Sequence, residues 1–229
     1  MSERLPAPDP ARFPPLDADP RWVREVPTGS LIARIFRANG PHPVEWHEFR
    51  SFGPLDGRFD PHPEPVGEHP SVGVLYGVLD VASEPPATRP PSAVDGPFAA
   101  ALLEVFQSHR MIRLDAGAPT LVGFEITRPL RLLDLSDSDW IAVAGGNSAI
   151  SSGDRAMSRA WARDIAERYP ELDGVVSASS LVPTARVVAL WGRAQDALPQ
   201  HPSALIRLDR VELLGVIDRI AERYGYALL

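Results

Sequence analysis

No cysteine occurs anywhere in the 229 residues, which excludes disulfides, thiol nucleophiles and thiolate metal sites at once. Lysine is missing too. All 23 basic side chains are arginines, so Schiff-base chemistry is ruled out, while many planar forks remain that can hold a phosphate at two points. The basic excess that drives nucleic-acid binding is also lacking: 30 acidic residues bring the formal net charge to −7, and direct nucleic-acid contact is not expected. No apolar run approaches the roughly 20 residues of a membrane span. Met1-Ser2-Glu3-Arg4-Leu5-Pro6 has neither the charged nor the apolar region of a signal peptide. A cytoplasmic protein without a membrane partner is the expectation.

What the chain does have is proline, with 25 in all. Seven of them (Pro6, Pro8, Pro10, Pro14, Pro15, Pro20 and Pro27) fall within residues 1–30, where they remove backbone donors and predict an extended arm against the domain surface. Leu31–Arg37 and Val72–Leu79 read as strands, the second buried, with a loop rich in Gly, Pro and His between them. A proline-rich loop from Ser83 leads through Asp95-Gly96-Pro97 into a helix over Phe98–Gln107, apolar nearly all round and therefore expected to be buried. Thr120–Ile126 and Leu130–Leu135 read as two strands broken at Arg128-Pro129, by a hairpin or a sheet corner. Helical spacing marks Asp154–Tyr169, ended by Pro170. Short strands are expected at Gly174–Ser177, Val187–Trp191 and Ala204–Leu208, before an amphipathic helix over Val211–Tyr224. That helix can complete the core or serve a homo-oligomer interface. Strands and helices mix without regular alternation, which predicts an α+β domain rather than a doubly wound sheet. The body spans residues 31–192, and residues 193–229 complete it.

A few polar residues stand in apolar surroundings. Glu104 lies in Ala101-Leu102-Leu103-Glu104-Val105-Phe106, so its carboxylate occupies either a solvated stripe or a buried site that must supply hydrogen bonds or a cation. Arg58 follows Gly57, which permits a sharp turn, and is either a surface arginine or a fork at a loop mouth. Tyr76 is a core ring whose hydroxyl still needs a partner. Ser179 and Ser180 end the strand at Gly174, but no Gly-x-Ser-x-Gly elbow exists, and a positioning hydroxyl suits Ser179 better than a nucleophile. The six histidines (His42, His47, His62, His69, His109 and His201) form no tight ligand pair, and no metal is expected. The Gly- and Ser-rich run from Ala144 to Asp154 is an ordinary loop or a set of amides for an anion.

In their order, Arg34 in Ala33-Arg34-Ile35-Phe36, Gly57-Arg58-Phe59-Asp60-Pro61, Leu75-Tyr76-Gly77, Ala101-Leu102-Leu103-Glu104-Val105-Phe106 and Ser179-Ser180 resemble the RES family, named for an Arg, a Glu and a Ser. The similarity runs from about Leu31 to Trp191. The interval from Arg58 to Tyr76 is longer than in compact members, with Gly67-Glu68-His69-Pro70 as a candidate inserted loop. The resemblance implies an α+β fold of mixed, strongly twisted sheets with packed helices like that of ADP-ribosyltransferases, consumption of NAD as substrate with no required cofactor, and an Xre-like helix-turn-helix antitoxin as partner. It also implies roles. Arg34 and Arg58 would grip the pyrophosphate, Tyr76 would stack on the nicotinamide, and Glu104 would stabilise the oxocarbenium-like transition state. Ser179, with Ser180 as the alternative, would hold the nicotinamide amide or the ribose. Water, inorganic phosphate or a protein side chain could accept the ADP-ribosyl group. A catalytically silent nucleotide- or antitoxin-binding module is the rival reading.

Overall fold

A computed structural model describes residues 4–40, 42–80 and 94–229. In chain order its strands are β1 (Val23–Val26), β2 (Leu31–Arg37), β3 (Phe52–Gly53), β4 (Gly67–Glu68), β5 (Val74–Leu79), β6 (Met111–Ile112), β7 (Pro119–Glu125), β8 (Leu130–Asp134), β9 (Gly174–Ala178), β10 (Arg186–Trp191), β11 (Ala204–Arg207) and β12 (Ala227–Leu228). The helices are α1 (Pro97–Phe106), α2 (Trp140–Val143), α3 (Arg155–Arg168) and α4 (Val211–Tyr224). Eight strands share one sheet in the order β1-β8-β9-β10-β5-β2-β7-β11, with β8 and β9 parallel and every other pair antiparallel. The part of the proline-rich loop at residues 83–93 lies outside the described residues.

Local chemistry sets the helix ends. Pro97 opens α1 where a missing N–H costs nothing, and Ala99 to Leu103 and Phe106 are all buried, so the helix is a core element. The Asp154 carboxylate accepts from Ala156 N at 2.8 Å and caps α3. Gly225, at φ 67°, supplies the left-handed residue that closes α4. Within α4, Ile217, Ile220 and Ala221 join the core, while Val211 and Leu214 stay exposed.

Strands β7 and β8 are not partners, so Arg128-Pro129 makes no hairpin. Four intervening strands put the two about 24 Å apart along a flat sheet, whereas the link Ile126–Pro129 can reach only about 18 Å. The sheet therefore curls at a corner. Ile126 and Leu130 both point into the enclosed core beside Phe124, Leu132, Val188 and Leu190. Arg128 clamps the corner with bonds to both oxygens of Asp173 (3.1 and 2.9 Å) and to Asp196.

The N-terminal arm departs from the reading of its prolines. Pro10 and Pro20 occupy first positions of short 3₁₀ turns capped by Asp9 and Asp19, positions where proline is tolerated. Beyond them Val23–Val26 pairs in register with Leu130–Leu133 as an edge strand. Leu5, Phe13, Leu16 and Trp22 are buried in the cluster built around Trp140, Trp161 and Tyr169. The proline carbonyls accept where the missing amides cannot donate: Trp161 Nε1 donates to Pro6 O at 2.9 Å, and Tyr169 Oη to Pro14 O at 2.6 Å.

Candidate active site

Strands β2 and β5 share only two paired positions, Ile32 with Leu79 and Ala33 with Val78. Past these the strands part, because β2 stays with β7 and β5 stays with β10. A cleft of about 440 Å³ opens in the split, with Ala33, Arg34 and Ile35 on one lip and Tyr76, Gly77 and Val78 on the other. Helix α1 contributes Ala101, Glu104 and Val105, and the loop before α3 contributes Ser151. The lining holds four arginines (Arg34, Arg50, Arg58 and Arg155) against Glu48, Asp56 and Glu104. On a chain of net charge −7, this is a locally cationic opening.

Glu104 is half-buried and held at both oxygens. Ser179 Oγ donates to Oε1 at 2.6 Å, and Gln107 Nε2 donates to Oε2 at 3.0 Å. The orientation of Gln107 follows from its partners, since the same nitrogen also donates to the Glu104 carbonyl at 3.0 Å and both partners are acceptors. Ser179, only 3% exposed, accepts from the amides of Leu181 (3.2 Å) and Val182 (3.1 Å), so its single proton is committed to Glu104. It lies behind the carboxylate rather than on the cleft wall, which makes it a positioning residue. Ser180 does line the cleft and is exposed. Ser179→Ala is expected to cost about 1–3 kcal/mol through the unsatisfied amides it leaves, and Ser180→Ala less than about 0.5 kcal/mol. Urea unfolding of the two variants reads the difference, and equal effects would refute the assignment of Ser179 as the buried strut.

The two arginines singled out from the sequence carry charge that is poorly compensated. Arg34 donates to the carbonyls of Trp46 (2.9 Å) and Glu48 (3.4 Å), and burial, partly offset by the Glu48 carboxylate, lowers its pKa to about 10. Arg58 donates to Gly153 O at 2.5 Å, and burial, then the neighbouring Arg155, lowers its pKa, while Glu104, Asp56 and Asp154 act against that shift. Neither forms an ion pair among the described residues, so an incoming anion would relieve the desolvation of both. Tyr76 packs its ring against the cluster of Phe59 and Trp191, and its buried hydroxyl has no hydrogen-bond partner among the described residues. Burial, with the charge of Asp60 adding to it, raises its pKa. Gly57 is required by packing rather than by a turn, since a Cβ there would lie 2.8 Å from Tyr76 Cζ.

The structure thus gathers Arg34, Arg58, Tyr76, Glu104 and Ser180 on one cleft with Ser179 behind it. Beside Glu48 and Asp56, the polar residues Gln107, Arg50 and Arg155 line it too, and none of them stands out in the sequence. Gln107 was within reach of it, being three residues beyond Glu104 on one helical turn. Arg50 and Arg155 enter only through tertiary contact. Arg50 is aimed by the fully buried Asp60, whose Oδ2 it meets at 2.6 Å, and Asp60 is itself held by Leu55 N and by His62 Nδ1. The Gly- and Ser-rich loop offers little to an anion, because the amides of Ser151, Ser152 and Gly153 are spent on Ser148 O and Ala149 O. Gly67 and Glu68, in the long interval before Tyr76, pair as β4 with β3.

Fold and cleft together define an α+β protein whose curled mixed sheet splits to expose a carboxylate among guanidiniums. No family model matches the chain, and none of the curated proteins does. Among solved structures, the chain is similar to a chain of the M. tuberculosis MbcT-MbcA toxin-antitoxin complex, with 17% sequence identity, a TM-score of 0.54, and coverage of 93% of this chain and 96% of that one. At that identity the likeness is one of fold. No helix among the described residues is long and apolar enough to cross a membrane.

Proposed function

We propose that the protein is a RES-type enzyme that cleaves the nicotinamide N-glycosidic bond of NAD and acts as the toxin of a toxin-antitoxin pair. The observation that carries this reading is the carboxylate of Glu104, fixed by Ser179 and Gln107 at the wall of a cleft that also presents Arg34, Arg58 and Tyr76. Fold likeness to a chain of a toxin-antitoxin complex adds support, and so does the order of the RES-like segments. In this reading the arginines take the pyrophosphate and the Tyr76 ring takes the nicotinamide. As the C–N bond breaks, its electron pair leaves with nicotinamide, which departs neutral and needs no general acid. Glu104, its two oxygens oriented by Ser179 and Gln107, opposes the positive charge that develops on the ribose. Water or inorganic phosphate then adds to the anomeric carbon and loses a proton.

Mass spectrometry of purified protein incubated with NAD, with and without phosphate, tests the reading. Release of nicotinamide together with ADP-ribose, or with its 1-phosphate when phosphate is present, is expected. A mass gain on protein would redirect the proposal to ADP-ribosyl transfer. Calorimetric NAD binding with no nicotinamide release would replace it with a silent binding module. The antitoxin is proposed as an Xre-like helix-turn-helix protein, and its coding frame is expected beside this one.

A further inference from the structure

Arg155, the first residue of α3, lines the cleft, and its Nη1 donates both to the carbonyl of Asp56 at 3.0 Å and to the Asp56 carboxylate. Arg159 Nη1 stands 4.0 Å from the same carboxylate. Arg58 is two residues from Asp56 in sequence and feels the charges of both Asp56 and Arg155. Two guanidiniums therefore reach one carboxylate, with Arg58 on the same loop lining the same cleft. That carboxylate is 79% exposed at its side chain, on a loop. An ion pair so open to water contributes little net stability. Arg155 also holds the Asp56 carbonyl, so the carboxylate is not its sole partner on that residue.

We infer that Asp56 is a placeholder, occupying with its carboxylate the position of a substrate phosphate at a subsite formed by Arg155 and Arg58. The ligand class is a pyrophosphate oxyanion, and the inference rests on the dinucleotide reading of the cleft. Guanidinium forks bind phosphate oxygens at two points with charge-assisted bonds, so a phosphate displaces one exposed carboxylate readily. Arg155 thereby joins Arg34 and Arg58 as a binding residue, and Asp56 sets how tightly the mouth takes an anion.

The consequence has an uncommon sign, because removing a residue of the site strengthens binding. Asp56→Asn is expected to tighten both inorganic pyrophosphate binding by calorimetry and the KM for NAD about fivefold, the effect of one unit charge at contact distance through a solvent-like dielectric. Arg155→Gln should weaken both about tenfold, and the double variant should follow Arg155→Gln with the gain lost, since the two residues act on one subsite. Circular dichroism on each variant controls for folding. Unchanged affinities in both single variants would overturn the proposal, as would weaker binding in Asp56→Asn, which would make Asp56 a support for Arg155. If pyrophosphate follows the expected pattern while NAD is not consumed, the subsite stands and the NAD reading falls. If NAD is consumed but neither variant shifts KM or pyrophosphate affinity, the reverse holds.

Discussion

Glu104→Gln is expected to lower kcat for nicotinamide release roughly a thousandfold, in line with the loss of a preorganised group facing transition-state charge. The replacement keeps the side-chain volume and still offers Ser179 Oγ an acceptor, so α1 and its buried alanines and leucines keep their packing. What it loses is the negative charge. A group that acts only when positive charge develops on the ribose leaves KM nearly unchanged while kcat falls. Steady-state kinetics therefore separates two roles for one residue. If Glu104 merely held ribose hydroxyls in the ground state, KM would rise and kcat would survive. Residual turnover within tenfold of the parent, in a variant with an unaltered far-ultraviolet spectrum and melting temperature, would remove Glu104 from the chemistry.

The strands and helices that position Glu104 were largely legible because apolar period and breakers agreed. Leu31–Arg37 and Val211–Tyr224 have the bounds the pattern predicts, and α1, α3 and β7 to β11 deviate by one residue at one or both ends. How the arm docks is not legible in its prolines, because proline density says that amides are missing but not that carbonyls will be used, and the carbonyls of Pro6 and Pro14 help to dock it. At the site, Glu104 announced itself as a charge in an apolar helix. The Ser179 strut needed a contact across 75 residues, and the Arg155–Asp56 pair one across 99. No local pattern encodes such a pairing. The opening itself was equally hidden, since it exists only because β2 and β5 part after Ala33 and Val78, a matter of register between strands that are distant in sequence.

The docked arm leads to the second large effect. Phe13→Ala is expected to destabilise the protein by about 3–5 kcal/mol, the range for deleting a buried phenyl ring. Phe13 is 4% exposed and lies 5.4 Å from Trp161, 6.2 Å from Tyr169 and edge-on to Trp140 at 5.2 Å. All three partners are buried and belong to other elements, so little can move in to fill the space. The same cluster contains Phe59, Val74, Ala149 and Ile150, which flank Arg58, Tyr76 and the loop whose Gly153 carbonyl holds Arg58. Loosening it should therefore raise the KM for NAD as well as shift the urea midpoint, although Phe13 does not line the cleft. If the arm were only draped on the surface, Phe13→Ala would cost under about 1 kcal/mol and leave KM alone. Measuring unfolding and kinetics on the same preparation decides between an arm that is part of the scaffold behind the cleft and one that is not.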